Sequence, residues 1–284
     1  MFETALAGAL PFPDIDPVLV EIGPLAIRWY SLAYIGGLIL GWAYMARLIR
    51  EPNPPCRRED LDDFVLWAML GVVGGGRLGY VLFYNLDFYI ANPAAALRLW
   101  DGGMSFHGGL LGMILVMLWF CRRRGISFLR FTDRIACVAP IGLFLGRIAN
   151  FINGELYGRP TDAPWGIVFP GGGPLPRHPS QLYEAAMEGL LLFVVLNLLF
   201  HFTNARRRPG LLGGLFLLGY GLSRILVETL REPDAHIGFI YGSLTMGQIL
   251  SLPAFLAGGF LVWRAFARPP LPQHVPGKPH AERP

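Results

Sequence analysis

Seven stretches of the chain are apolar over a helical length, at residues 26–49, 61–84, 105–121, 132–152, 181–202, 211–230 and 243–266. A helix crossing a bilayer core needs about 20 largely apolar residues. The pattern therefore predicts an all-α polytopic membrane protein with about seven transmembrane helices. The third stretch is short and the fourth is charged at both ends. Of the connections, residues 154–180 are rich in Gly and Pro, including Gly171, Gly172 and Gly173. Such a segment is irregular backbone over the membrane surface and long enough to act as a lid. Residues 85–104, with Asp87, Tyr89, Asn92 and Trp100, read as an interfacial segment.

Composition adds weight to this class, since 53% of the 284 residues are hydrophobic and 15% charged, outside the balance of a soluble domain. Arginines set the orientation. The connections after the first, third and fifth stretches and the C-terminal tail carry 16 of the 24 basic residues, and the basic side of a membrane protein faces the cytoplasm. The N-terminus is then outside and the C-terminus inside. Residues 1–17 hold Glu3, Asp14 and Asp16 and no basic residue, so they lack the start of a cleavable signal peptide and are expected to stay. Residues 1–268 read as a single membrane domain without internal repeats, and 269–284 as a proline-rich, disordered tail. The charge of +4 belongs to inner loops and needs no nucleic-acid partner. Cys56, Cys121 and Cys137 show no CxxC spacing and read as packing residues, with no metal and no cofactor expected.

The ionisable residues inside these stretches carry the chemistry. They are Arg28, Arg77, Arg147 and Arg224, with His107, Glu184, Glu188 and Glu228, and such groups usually face a functional cavity. At about 1.5 Å per residue, Arg77, Arg147 and Arg224 sit in the outer half of the membrane, level with His107 and Glu184. One polar cavity opening outward follows. Glycines beside Arg77, Arg147 and Arg224 let helices approach closely, for packing or for substrate. Tyr220, Arg224 and Glu228 share a helix face, where Arg224 and Glu228 form a structural ion pair or part of a site. Arg147, Asn150, Asn153 and Glu155 line the end of the fourth stretch, and Arg and Asn together offer many donors, as a phosphate ester requires. His107, followed by Gly108 and Gly109, has space beside its ring, as a catalyst or as a hydrogen-bonded structural residue. Zinc-peptidase, serine-hydrolase and P-loop motifs are absent from the sequence.

The run GRIANFINGELYGR at 146–159 resembles the defining motif of the prolipoprotein diacylglyceryl transferase family. SFHGG at 105–109, RHPSQLYE at 177–184, YGLSR at 220–224 and REPD at 231–234 join it in family order. Ala149 and Tyr157 stand where many members have glycine and tryptophan, and neither change removes a reactive group. The resemblance implies an enzyme of the bacterial inner membrane with its active site toward the outer leaflet. It would move the diacylglyceryl group of phosphatidylglycerol to the lipobox cysteine of a prolipoprotein signal peptide, releasing glycerol phosphate. The implied active residues are Tyr30, His107, Arg147, Asn150, Gly158, Tyr220 and Arg224. His107 is the expected general base, with Tyr30 or a water as alternatives, and Arg147 and Arg224 hold the phosphodiester. Asn153, Glu155 and Glu228 complete the substrate-binding set. The alternative reading is a lipid or anion transporter with an arginine-lined cavity.

Overall fold

A computed structural model of the protein describes residues 10–13, 15–23, 25–232, 239–241 and 244–272. The expectations for the first residues, for Pro233 and Asp234 and for most of the tail lie outside these. The chain is mainly helical. Among the described residues five helices are long and apolar enough to cross a membrane: α2 (Arg58–Phe83), α5 (Phe128–Ile152), α6 (Ser180–Phe202), α7 (Leu211–Glu228) and α8 (Met246–Ala267). Two further long helices, α1 (Trp29–Leu48) and α4 (Phe106–Arg124), have 20 and 19 residues. They are diluted by Gly and Tyr in α1 and by a terminal Arg122-Arg123-Arg124 run in α4, so by the same measure the count is five rather than seven. Leu66, Leu70 and Leu78 of α2 and Leu256, Phe260 and Trp263 of α8 are exposed, an apolar surface that a water-soluble protein would hide.

The chain divides into two compact units. In the unit spanning 46–131, α2 begins on Arg58 because the Asp60 carboxylate accepts from the Arg57 N–H at 3.0 Å, satisfying a donor at the helix start. Arg124 closes on Asp60 and Asp63. α2 packs on α4 through glycines. A Cβ on Gly71 would lie 2.9 Å from the Gly112 carbonyl oxygen, and one on Gly79 would lie 2.8 Å from Gly108 Cα, so the backbones touch as in small-residue membrane seams. The segment joining them contains the short helix α3 (Leu86–Ala91) and 3₁₀ turns at Pro93–Leu97 and Leu99–Asp101.

The second unit comprises residues to 45 and from 132. Its strands are short: β1 (Leu10–Pro11) pairs in parallel with β4 (Ile167–Val168), and β2 (Val18–Ile22) pairs antiparallel with β3 (Leu25–Arg28). The first membrane stretch thus starts at Trp29 rather than at residue 26, and Arg28 closes a hairpin opposite Val18 instead of lying in a helix. A further antiparallel pair, β5 (Phe239–Tyr241) and β6 (Leu244–Thr245), precedes α8. The buried Asp133 carboxylate of α5 accepts from the Gly210 and Gly213 N–H groups at 2.8 Å each, capping α7 from another helix. Asn197 of α6 is equally committed. Its amide donates to the Cys137 and Phe193 carbonyls and its oxygen accepts from Tyr44. The three cysteines are buried and none forms a disulfide among the described residues.

Candidate active site

The centre of the larger unit is built on α6. After Ser180–Glu184 the helix widens into a π-helical segment, Ala185–Leu191, and returns to α geometry at Leu192. Such insertions cost regular hydrogen bonding and concentrate at functional positions. Here Glu184 and Glu188 bracket the change, and both are completely buried.

Two arginines from different helices meet these carboxylates. Arg147 of α5 places Nε 3.1 Å from Glu184 Oε2 and Nη2 3.4 Å from Glu188 Oε2. Arg224 of α7 donates through Nη1 to Glu184 Oε1, lies 3.8 Å from Glu188 Oε1, and donates through Nη2 to Glu228 Oε2 at 2.9 Å. Glu228 also accepts from the Thr245 hydroxyl at 3.0 Å, and Arg231 comes within 4.0 Å of it. α8 begins directly against this carboxylate, since a Cβ on Gly247 would fall 2.7 Å from it. Tyr220, one turn before Arg224, stacks on Phe216 and interacts electrostatically with Glu188, Arg224, Arg147 and Glu184. Pairing is uneven. Among the described residues Glu184 Oε2 and Glu188 Oε1 accept no hydrogen bond although a guanidinium nitrogen is near each. They are neutralised by proximity rather than by a directed bond. Buried ions in this condition gain little stability for the fold, so stability alone is a poor account of the cluster.

A second group forms where α5 ends. Glu155 accepts from Asn150 at 2.7 Å and from Asn153 at 3.4 Å, and the Tyr30 hydroxyl reaches both Asn150 and Tyr34. Gln181 and Ser180, at the start of α6, donate to the Glu155 and Leu156 carbonyls. Leu156 takes a φ of 59°, a left-handed conformation that side chains rarely adopt and that tight tertiary bonding sustains. Gly158 donates its N–H to the His178 carbonyl at 2.8 Å and bridges to Arg231. A Cβ there would lie 2.6 Å from both His178 Cβ and the Leu230 oxygen, so its role is backbone contact.

The connection from 154 to 179 is fastened rather than loose. Arg177 donates to the Gly172 and Gly158 carbonyls, pairs with Glu232 at 3.0 Å and lies over the Tyr157 ring. His178 meets the Tyr183 hydroxyl at 3.1 Å, and partial burial holds its imidazole below the ordinary histidine value.

Arg147, Arg224, Glu228 and Tyr220 are therefore brought together, and Tyr30, Asn150, Asn153 and Glu155 form their own cluster. His107 and Arg77 belong to the other unit. His107 is exposed in the first turn of α4, where Ser105 accepts from the Gly108 N–H at 3.2 Å. The glycines after it do not provide space for its ring: Gly108 and Gly109 abut α2 backbone. Arg77 is a structural residue, donating to the carbonyls of Ala95, Ala96, Arg98, Gly102 and Gly103. Sequence reasoning counted Glu184 and Glu188 among the internal charges and left them out of the site. Their spacing of four, on one helix face, with Arg147 lacking an assigned counter-ion, was the available signal.

Apolar helices long enough to cross a membrane, round a buried network of guanidinium and carboxylate groups, define a multi-pass membrane protein. The chain belongs to the prolipoprotein diacylglyceryl transferase family, whose model matches residues 17–264. It is 61% identical over 271 residues to the phosphatidylglycerol–prolipoprotein diacylglyceryl transferase of Rhodospirillum rubrum, covering 95% of this chain and 98% of that one. Proteins of the same name from Azospirillum brasilense and Brucella anthropi are 57% and 55% identical, over 92% and 93% of this chain and 98% and 97% of theirs.

Proposed function

We propose that this chain transfers the diacylglyceryl group of phosphatidylglycerol to the lipobox cysteine of a prolipoprotein signal peptide. The observation carrying the reading is the convergence of Arg147 and Arg224 on Glu184 and Glu188, in a chain whose relatives bear that enzyme's name. A guanidinium carries five N–H donors in a rigid fork. The carboxylates engage Nε and Nη2 of Arg147 and Nη1 and Nη2 of Arg224, so both arginines retain protons for phosphate oxygens while held in place.

In the reaction, a thiolate attacks the glycerol carbon, a C–S bond forms and the C–O bond to phosphate breaks. The electron pair leaves on glycerol phosphate, where Arg147 and Arg224 stabilise the growing charge. A free thiol near its ordinary pKa is mostly protonated at neutral pH, so a base is required, and His107 takes that role. Asn150, Asn153 and Glu155 orient the headgroup, with Tyr30 and Tyr220 as neutral walls. Gly158 holds the outer connection in shape. α1 and α4 complete seven spans, with the N-terminus and the site toward the outer face of the inner membrane and the C-terminus cytoplasmic. There the headgroup and an exported signal peptide meet.

The test is incubation of the purified protein with labelled phosphatidylglycerol and a lipobox peptide, beside a Cys→Ser peptide and an Arg147→Ala protein. Release of glycerol phosphate that requires both the cysteine and Arg147 is expected. Lipid binding without release turns the reading to a transporter.

A further inference from the structure

The charges around Arg147 and Arg224 do not leave room for an added anion. Among the described residues of this unit, the two guanidiniums face three buried carboxylates, Glu184, Glu188 and Glu228. Arg231 lies 4.0 Å from Glu228. Even with Arg231 counted in full, the cluster is neutral before substrate arrives. A phosphodiester brings one negative charge into a site where Glu184 and Glu188 are wholly buried. Low dielectric makes an uncompensated charge costly, and like charges sharing a site are relieved when one takes a proton.

We infer that binding of a phosphodiester lipid between Arg147 and Arg224 takes up one proton at the Glu184–Glu188 pair, with Glu188 its carrier and a positioning residue for the arginines. The inference rests on the transferase reading for the ligand. Geometry selects Glu188. Each carboxylate has one oxygen that accepts no hydrogen bond among the described residues, but Glu184 has the closer guanidiniums, with Arg147 Nε at 3.1 Å and a direct bond from Arg224, whereas Glu188 is met at 3.4 and 3.8 Å. Glu228 has its own donors, Arg224 Nη2 and the Thr245 hydroxyl. The titratable and charged groups facing Glu188 are Arg147 from α5, Glu184 from its own helix, and Tyr220 and Arg224 from α7. When the lipid arrives, Arg147 and Arg224 turn donors toward phosphate, and the protonated Glu188 loses its claim on them without becoming an unpaired ion. The pair shares the proton, so the measured value belongs to both groups.

The experiment has two arms. Calorimetry of phosphatidylglycerol binding to the detergent-solubilised full chain, in buffers of different ionisation enthalpy, reads protons taken up per lipid. The expected value is about one, and diacylglycerol, which has no phosphate, draws none. The second arm is the pH profile of KM for phosphatidylglycerol. In the unaltered protein KM rises with pH, approaching about tenfold per unit for one linked proton. In Glu188→Gln the slope is lost. No proton uptake, or a slope unchanged in Glu188→Gln, overturns the proposal. A Glu188→Gln protein inactive at every pH leaves the calorimetric arm to decide. Proton uptake with bound lipid and no glycerol phosphate release would sink the transferase reading and leave the proton link standing.

Discussion

Arg224 divides its two terminal nitrogens between two helices: Nη1 donates to Glu184 on α6, and Nη2 donates at 2.9 Å to Glu228, four residues along its own helix. Only a planar fork can serve both carboxylates and a phosphate. A lysine keeps the charge but has no paired, fixed donors. Arg224→Lys is expected to lose roughly a hundredfold or more in glycerol phosphate release, about 3 kcal/mol of barrier stabilisation. Full activity would remove the bidentate role.

His107→Gln keeps the size and a donor but cannot take a proton. The expected result is a fall in turnover of about two orders of magnitude or more, with phosphatidylglycerol binding retained. An active glutamine variant would reduce His107 to a hydrogen-bonding residue and pass the base role to Tyr30 or water.

Gly158→Ala puts a methyl carbon against His178 and the Leu230 carbonyl at 2.6 Å, and those partners are backbone or tied to backbone bonds. Overpacking of this kind costs about 1–3 kcal/mol. Thermal unfolding in detergent should show a lowered midpoint, together with loosening of residues 154–179 to protease.

Arg77→Leu deprives five carbonyls between Ala95 and Gly103 of their donor. Each carbonyl left without water costs about 1–3 kcal/mol. Hydrogen exchange across residues 93–104 is expected to accelerate sharply. An unchanged pattern would mean that Tyr89 stacking beneath the guanidinium, at 5.3 Å, holds the segment by itself.

His178 supplies a pH dependence with a definite sign. Its ring is held below the ordinary histidine value by partial burial, so in the window beneath that value the unfolded chain binds the proton more readily. Stability then falls as pH drops through it, and is fully present above it. Thermal midpoints from pH 7.5 down to about 5.5 should decline, and His178→Gln should flatten that part of the curve.

How far the chain could be read in advance differs by feature. The long helices follow from hydrophobic runs, and their ends extend where charge had masked them: α2 starts at Arg58 because Asp60 caps it, a local bond invisible to hydropathy. The hairpin ending at Arg28 was missed because its second strand, Leu25–Arg28, runs directly into the helix and looks like its first turn. At the site, Arg147 and Arg224 stood out as costly internal charges. That both would answer to Glu184 and Glu188 depends on three helices meeting at one level, and no local pattern encodes that. Arg77 looked equivalent to them by depth, yet its partners are carbonyls of an irregular segment some twenty residues on, and such a segment has no sequence signature.

The seam between α2 and α4 has a mechanical consequence. Where Gly71 and Gly79 meet Gly112 and Gly108 backbone lies against backbone, so little of this contact can absorb a displacement by changing rotamers. The two helices move as a single stiff strut. Any working motion in that unit must be taken up by the segment between them, which makes Arg77, clasping that segment, its latch.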